Sequence, residues 1–382
     1  AVHGDSVLAV GTSRIKPAIG TDKIKKFIWA EAGLDGQTKT WFWKEGSPTP
    51  TLLEISDSTQ YNPVTGNAHT TGLGRGQEPF VFVDANNMAH ALWTAALLGN
   101  AGTSRNDIFY WNESMGANGA VSLEHIDSRG DAAHLQVEMD SLGVIHAVWT
   151  EEIGGVNTAN DAFYWNSATN STVPLSPTLN FLGYVGGLKM AVDATGIAHV
   201  VWVEGGEGGN VSQVGDIDSD TYYWNSTMLE RSPLDLSDDS VESGHAINPH
   251  LLVGDASKIH VLWEEGSGTL EDSNLMYWNS GFAAPDGIRI SNLAVTEGPV
   301  YKCDWDQDSA GNVYIAWDEN IFSWNQYAMP AEPKIYDTDT FFYDAQTGNT
   351  TRISDQTLVG YALRSVDVTA SEDGTARVNF VS

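Results

Sequence analysis

Short apolar stretches of period two recur along the whole chain, and each is followed by a polar turn and a second apolar stretch that ends in an aromatic residue. With that aromatic residue as a marker, the pattern recurs at positions 29, 93, 149, 202, 263, 317 and 380. An aromatic run such as residues 109–112 and a fourth apolar stretch complete the unit. This alternation predicts β-strands, and helical periodicity is absent.

Four antiparallel strands in each of seven units predict an all-β fold, a seven-bladed β-propeller that occupies residues 1–382 as a single domain. The last unit ends after its second strand, near residues 376–381, whereas a spare apolar segment at residues 5–10 precedes the first unit. We therefore expect the N-terminal strand to pair with the C-terminal blade. Closure of this kind removes exposed strand edges.

The turns between the first and second strands of the units carry a regular signature. Asp140 precedes Gly143, and Asp193 precedes Gly196, at the first and last positions of a four-residue turn. Aspartate there accepts backbone N–H groups, and glycine tolerates positive φ. The repeated aspartates are predicted to be structural.

The order Asp-x-x-Gly-x-x-His-x-x-Trp, followed by Asp-x-Phe-Tyr-Trp-Asn, resembles the repeats of sialidase-like and BNR-repeat propellers. The resemblance covers nearly the whole chain and implies a secreted or surface protein that acts on or binds carbohydrate. The Asp-box of sialidases is not intact in this sequence. Only the segment beginning at Arg14 is similar to the one that carries the first arginine of the sialidase triad.

Composition narrows the classes of partner. Asp and Glu total 50 against 19 Lys and Arg, which gives a net charge of -31 and disfavours nucleic acid and membrane surfaces. No apolar run reaches the roughly 18 residues of a membrane span. The single cysteine, Cys303, excludes an internal disulfide. We expect an extracellular or cell-surface protein whose signal peptide has been removed, and its acidity also suits salt adaptation.

Two polar series flank the markers, one before them and one after them. His90, His146, His199 and His260 lie three residues before a marker, and because they recur they are predicted to form hydrogen bonds between blades. Glu31, Glu151, Glu204, Glu265 and Glu319 lie two residues after a marker. These glutamates either cap their own loops or form an acidic rim that attracts cations.

Alternating carboxylates suggest a metal site. Asp216, Asp218 and Asp220 stand at spacing two, and a weaker match begins at Asp304. Oxygen ligands at this spacing can converge from a turn on a hard cation. A solvated acidic loop is the first interpretation of these segments, and a metal site, with calcium as the natural cation, is the alternative.

The connections between units carry mixed polar and aromatic residues. In a propeller these connections lie on the same face as the loops that follow the second strands. The candidate ligand-binding residues are Arg75, Arg129, Tyr184, His245, Tyr361 and Arg364, and His250 follows on the same segment as His245. Aromatic rings stack on sugars, and guanidinium groups bind carboxylates or sulfates.

The main functional prediction is a non-catalytic binding or assembly module for carbohydrate, with or without calcium, because no acid–base set stands apart from the repeated positions. No catalytic residue is assigned. The first alternative is a carbohydrate-active enzyme, either a sialidase-like hydrolase or a polysaccharide lyase in which His or Tyr is the base. The second is a self-assembling subunit of a coat or filament.

Overall fold

Strands make up most of the regular structure in the computed structural model. The structure describes residues 11–12, 15–32, 38–53, 70–71, 79–98, 104–117, 119–123, 131–152, 160–177, 184–205, 219–237, 245–254, 258–266, 273–291, 300–323, 334–354, 365–372 and 374–381. Within these ranges the helical content is a single 3₁₀ turn, Glu113–Met115. Nowhere in them is a helix long and apolar enough to cross a membrane.

The chain divides into two compact units, the first formed by residues 1–181 and 229–232. Its first sheet contains β1 (Gly11–Thr12), β2 (Lys16–Ile19), β3 (Lys25–Ala32), β4 (Thr38–Lys44) and β5 (Thr51–Leu53). Its second sheet contains β6 (Thr70–Thr71), β7 (Phe80–Val83), β8 (Ala89–Leu98), β9 (Ser104–Asn112) and β10 (Val121–Ser122). Its third sheet contains β11 (Ala132–Met139), β12 (Ile145–Glu152), β13 (Asn160–Asn166) and β14 (Ser171–Pro174).

The second unit is formed by residues 182–228 and 233–382. Its first eight strands are β15 (Tyr184–Val192), β16 (Ala198–Gly205), β17 (Ser219–Asn225), β18 (Leu234–Asp235), β19 (His245–Val253), β20 (Ile259–Gly266), β21 (Asn274–Asn279) and β22 (Ile288–Arg289). They form two four-stranded antiparallel groups joined by one parallel contact between β17 and β19. A four-stranded sheet of β23 (Val300–Gln307), β24 (Val313–Ser323), β25 (Lys334–Asp344) and β26 (Asn349–Arg352) follows, and then the pair β27 (Ser365–Ala370) and β28 (Ala376–Val381).

The marker tryptophans lie in the cores between successive sheets of each unit. In the first unit, Trp149 packs in one cluster with Leu92 of the preceding sheet. In the second unit, Trp263 packs with Val201, and Trp317 packs with Leu262 of the sheet before it. These tryptophans are fully buried. Large aromatic side chains therefore hold neighbouring sheets together.

The repeated four-stranded antiparallel sheets confirm the predicted all-β, propeller-like fold. The number of seven blades, the single domain and the closure of the ring stay predictions. Residues 1–10, which are expected to complete the last blade, lie outside the described residues.

Candidate functional site

The recurring histidines are buried and bonded within their own sheets. The Nδ1 atoms of His90, His146, His199 and His260 lie 2.6 to 2.8 Å from the hydroxyl oxygens of Tyr110, Tyr164, Tyr223 and Tyr277. Each tyrosine belongs to the strand that pairs with the strand of its histidine. The predicted hydrogen bonds between blades are therefore wrong for this series, although its role is structural.

The predicted turns that begin with aspartate are confirmed. Oδ1 of Asp193 accepts the backbone N–H groups of Thr195 and Ile197 at 2.8 and 2.9 Å. Gly196 has a φ of 85°, which glycine adopts without strain. Burial raises the pKa of Asp193, but the hydrogen bonds donated to its carboxylate outweigh this effect and lower the pKa to about 2. This carboxylate stabilises a turn and is not available for proton transfer.

Four of the five glutamates that follow the markers bind tryptophan. Oε2 of Glu151, Glu204, Glu265 and Glu319 accepts the indole N–H of Trp149, Trp202, Trp263 and Trp317 at 2.9 to 3.3 Å. All four are buried, whereas Glu31 is partly exposed. These four carboxylates thus contact the marker of their own strand, a local role that spacing alone does not identify.

The predicted calcium ligands fall mostly outside the described residues. Asp216 and Asp218 lie outside them, and the carboxylate of Asp220 accepts a hydrogen bond of 3.3 Å from the hydroxyl of Tyr222. In the described part of the chain, no three His, Cys, Asp or Glu side chains form a group that could hold a metal ion. Calcium binding at this segment stays a prediction.

Two of the six predicted ligand-binding residues are described. Arg75, Arg129, Tyr361 and Arg364 lie outside the described residues, as does Arg14. Tyr184 and His245 begin β15 and β19, which are the first strands of two successive four-stranded groups. Both residues are partly buried. They therefore occupy the same position in consecutive repeats of the second unit.

Backbone pairing connects these two residues in one row. Tyr184 pairs with Gly205, which pairs with Ser219 of the next strand. Ser219 in turn pairs with His245 through the parallel contact of β17 with β19. β15 and β19 also contact each other directly, so the strands that begin with these two residues are neighbours.

The hydrogen bonds of Ser219 fix the tautomer of His245. The Ser219 hydroxyl donates to the backbone oxygen of Ala246 at 3.0 Å, and its oxygen lies 3.0 Å from Nδ1 of His245. Because a hydroxyl has a single proton, Oγ can only accept from the imidazole, so neutral His245 carries its proton on Nδ1. Nε2 is then the unprotonated nitrogen. That is the arrangement of a histidine that can accept a proton.

A β-bulge in each strand changes which residues share a face with Tyr184 and His245. In β15 two residues lie opposite Trp202, and in β19 two residues lie opposite Trp263. A regular strand places residues five apart on opposite faces. The bulge instead puts Lys189 on the face of Tyr184, and His250 on the face of His245.

Charges of opposite sign act on His250, which also contacts an aromatic ring. Its ring meets the Trp305 ring edge-on, with 6.3 Å between the centroids. Burial lowers the pKa of His250, the positive charge of Lys189 lowers it further, and Asp304 acts in the opposite direction. His250 is therefore kept neutral beside an exposed ammonium group. Sequence reasoning named His250 but missed Lys189, because only the bulge brings the lysine to this face.

Glu264, which pairs with Ile247 just before the bulge of β19, carries a partly buried carboxyl group. Asn248 adopts a φ of 52° and donates a hydrogen bond of 3.1 Å from its side-chain amide to Glu264. Burial raises the pKa of Glu264, and the Asn248 bond only partly offsets this effect. The sequence does not mark Glu264, because the repeat draws attention to its neighbour Glu265, which lies two residues after a marker.

No protein-family model matches the chain, and no curated protein matches its sequence. Among solved structures, an ulvan lyase, which is a polysaccharide lyase, is 10% identical over 92% of this chain and 84% of that chain, with a TM-score of 0.43. The α-L-arabinanase of Penicillium chrysogenum complexed with arabinobiose is 12% identical, over 82% and 90% of the two chains, with a TM-score of 0.36. An α-L-arabinofuranosidase of Fusarium graminearum is 10% identical, over 81% and 88%, with a TM-score of 0.35.

The comparison corrects the main functional prediction. The main prediction was a non-catalytic binding or assembly module, whereas the matched structures are carbohydrate-active enzymes. The comparison with solved structures does not single out the sialidase-like or BNR-repeat type, since the matches are glycoside hydrolases and a lyase. What the chain has in common with them is a propeller-like all-β fold.

Proposed function

We propose that the protein is a carbohydrate-active enzyme, and that it cleaves a uronic acid polysaccharide by β-elimination. The observation that carries this proposal is the Ser219 hydrogen bond that leaves Nε2 of His245 as a proton acceptor. Tyr184, at the equivalent position of the preceding four-stranded group, supplies a hydroxyl on a strand that contacts the strand of His245. Neither residue is part of the structural series that repeats from sheet to sheet.

In this reaction Nε2 of His245 removes the proton from C5 of a uronic acid residue. The electron pair of that C–H bond forms the C4=C5 double bond, and the bond from C4 to the glycosidic oxygen breaks. The departing oxygen takes a proton from the hydroxyl of Tyr184. Proton transfers of this kind by a positioned side chain contribute about 10²- to 10⁴-fold to the rate.

A hydrolase is the second candidate, and Glu264 is the observation that favours it. Burial raises the pKa of its carboxyl group, so that the group keeps a proton to higher pH, as a general acid requires. The structure describes Asn248 as its hydrogen-bond donor. The sialidase-like type, a seven-bladed closed ring, calcium at Asp216–Asp220 and an extracellular location remain proposals of lower rank.

The proposal is tested by incubating the protein with a panel of uronic acid polysaccharides and with neutral arabinan. Elimination creates an unsaturated uronate that absorbs in the ultraviolet, whereas hydrolysis produces reducing ends without this absorbance. We expect absorbance on at least one uronate polymer. Reducing ends that appear without absorbance would favour the hydrolase.

The matched variants are His245→Gln and His134→Gln. His134 is also on a first strand, in β11, and also lies 3.0 Å from a hydroxyl, that of Thr150. We expect His245→Gln to lower kcat by at least about 100-fold and His134→Gln to leave it unchanged. Equal losses in both variants would contradict the assignment of His245.

A further inference from the structure

The repeat position three residues before the marker is occupied in two different ways. In four sheets a histidine stands there and contacts a tyrosine hydroxyl of its own sheet. Lys26 and Tyr314 occupy the same position in the sheet of β1–β5 and the sheet of β23–β26. In both sheets the place of the tyrosine is taken by phenylalanine, Phe42 and Phe342. Because phenylalanine has no hydroxyl, neither residue can form the pair that the histidines form.

Lys26 instead connects its sheet to the next one. Its side chain is buried, and Nζ donates to the backbone oxygen of Asn87, which lies in the turn between β7 and β8. Nζ also lies 3.5 Å from the carboxylate of Glu113, which follows β9. The carboxylate of Asp22, in the turn before Lys26, is farther away at 4.0 Å. A buried ammonium group needs such partners, because burial of a charge without them is costly.

Tyr314 forms the equivalent connection in the second unit. Its hydroxyl oxygen lies 3.0 Å from the backbone oxygen of Gly374, in the turn between β27 and β28, and 3.2 Å from the carboxylate of Asp308 in its own sheet. Gly374 and Asn87 stand at the same place, the fourth residue of a turn, with φ of 79° and 63°. Each donates its backbone N–H to the backbone oxygen of the first residue of that turn. Lys26 and Tyr314 therefore reach the same carbonyl group of the following sheet.

The pair β27–β28 has a small apolar contact with the sheet before it. Only four buried residues form the cluster between them, whereas the other described clusters contain nine to eleven. Two carboxylates of β23 add hydrogen bonds: Asp304 accepts the backbone N–H of Val368 at 2.6 Å, and Asp306 accepts that of Ala370 at 2.8 Å. The weaker metal match in the sequence, which begins at Asp304, thus consists at these two positions of side chains that bind the backbone of the next sheet.

We propose that Lys26 and Tyr314 act as latches, and that each controls the local opening of one sheet: Lys26 that of β1–β5, and Tyr314 that of β27–β28. A latch bond crosses from one sheet to the next, whereas a histidine–tyrosine pair lies within one sheet and leaves the connection between sheets to other contacts. Loss of a latch therefore lowers the free energy of opening of one sheet. Segments that open locally in this way are detected by their faster hydrogen exchange.

The first test removes one oxygen atom. Hydrogen exchange of the full chain is measured at neutral pH by mass spectrometry for wild type, Tyr314→Phe and Tyr223→Phe. Tyr223 is the matched control, since its hydroxyl contacts His199 within one sheet. We expect the amides of β27 and β28 to exchange about three- to tenfold faster in Tyr314→Phe, with those of β19–β22 unchanged. Tyr223→Phe should leave β27 and β28 at the wild-type rate.

Two results would overturn the inference for Tyr314. One is equal exchange of β27 and β28 in wild type and Tyr314→Phe. The other is an equal increase throughout the second unit, because that would show a general loss of stability instead of the opening of one sheet.

The second test concerns Lys26. Lys26→Met removes the buried ammonium group, and the control Lys25→Met removes an exposed one beside it. We expect the amides of β3 and β4 to exchange at least about tenfold faster in Lys26→Met and at the wild-type rate in Lys25→Met. The double variant Lys26→His with Phe42→Tyr introduces the pair of the other sheets in place of the latch, and should also exchange faster than wild type. Wild-type exchange of β3 and β4 in Lys26→Met, or in the double variant, would contradict the role of Lys26.

Discussion

At the scale of single residues, three of the four buried histidines have an aspartate at the start of the neighbouring turn, and this carboxylate affects the pKa of the histidine. Nε2 of His90, His146 and His199 lies 3.4 to 3.5 Å from the carboxylates of Asp84, Asp140 and Asp193. Beside His260 the corresponding turn position is Gly254, whose backbone N–H makes the same turn bond. Burial lowers the pKa of all four histidines, and the aspartates offset this effect in the first three. Among the described residues no aspartate lies beside His260, and burial, with a smaller effect from the positive charge of Lys258, lowers its pKa to about 4.

This difference predicts how acid destabilises the protein. The unfolded chain binds a proton near pH 6.5 that folded His260 does not bind until about pH 4. Stability from neutral His260 is therefore full above pH 6.5 and is lost as the pH falls toward 4, by about 3 kcal/mol in total. His260→Gln should flatten urea unfolding free energies measured between pH 7 and 4.

The control is His146→Gln, because Asp140 already limits the pKa shift at that position. It should flatten the pH dependence less than His260→Gln does. Equal slopes in wild type and His260→Gln would show that His260 does not carry the acid sensitivity.

At the scale of elements, the bulges of β15 and β19 decide the geometry of the candidate site. Gly187 has positive φ and meets Pro249, whereas a Cβ atom at Gly348, where φ is 69°, would have no neighbour within 4 Å among the described residues. Gly348→Ala should cost about 1 kcal/mol, the strain of a left-handed alanine. Gly187→Ala should cost about 1 to 3 kcal/mol more, because a methyl group would overpack the contact.

Unfolding in urea measures both losses of stability, and the ultraviolet assay shows whether the contact also shapes the candidate site. We expect Gly187→Ala to raise KM for the uronate polymer, with no change in Gly348→Ala. If the two variants lose the same stability, the contact with Pro249 contributes nothing.

The same elements show what could be predicted from sequence. The turns at Asp140 and Asp193 follow from short-range chemistry, so spacing alone identifies them. A bulge shifts pairing by one residue and moves later side chains to the other face. Gly186 and Gly187, just before Lys189, are compatible with a bulge but do not fix the residue at which the pairing shifts. The bond from Trp149 to Glu151 also escaped prediction, because an indole N–H can find many acceptors.

At the scale of the whole molecule, the charge of -31 opposes the approach of a polyanionic substrate. Salt screens this repulsion, since the Debye length falls from roughly 30 Å at 0.01 M to about 8 Å at 0.15 M. We therefore expect KM for a uronate polymer to fall as sodium chloride is raised over this range. Most enzymes that bind polyanions through basic surfaces show the reverse.

The control substrate is the methyl-esterified polymer, which carries no charge and should give a KM that is independent of salt. A KM for the free acid that rises with salt would mean that local cations such as Lys189 outweigh the field of the whole chain.

Because Cys303 is the single cysteine, a cysteine introduced elsewhere can be labelled selectively if Cys303 does not react. Burial raises the pKa of its thiol to about 12, and the nearby Glu264 adds to the effect, so at neutral pH the sulfur is almost entirely protonated. Alkylating dyes react with thiolates, and the native cysteine should stay largely unlabelled. A fluorophore attached through Ile247→Cys, at an exposed position between His245 and His250, would then report sugar binding in real time without background from the rest of the chain.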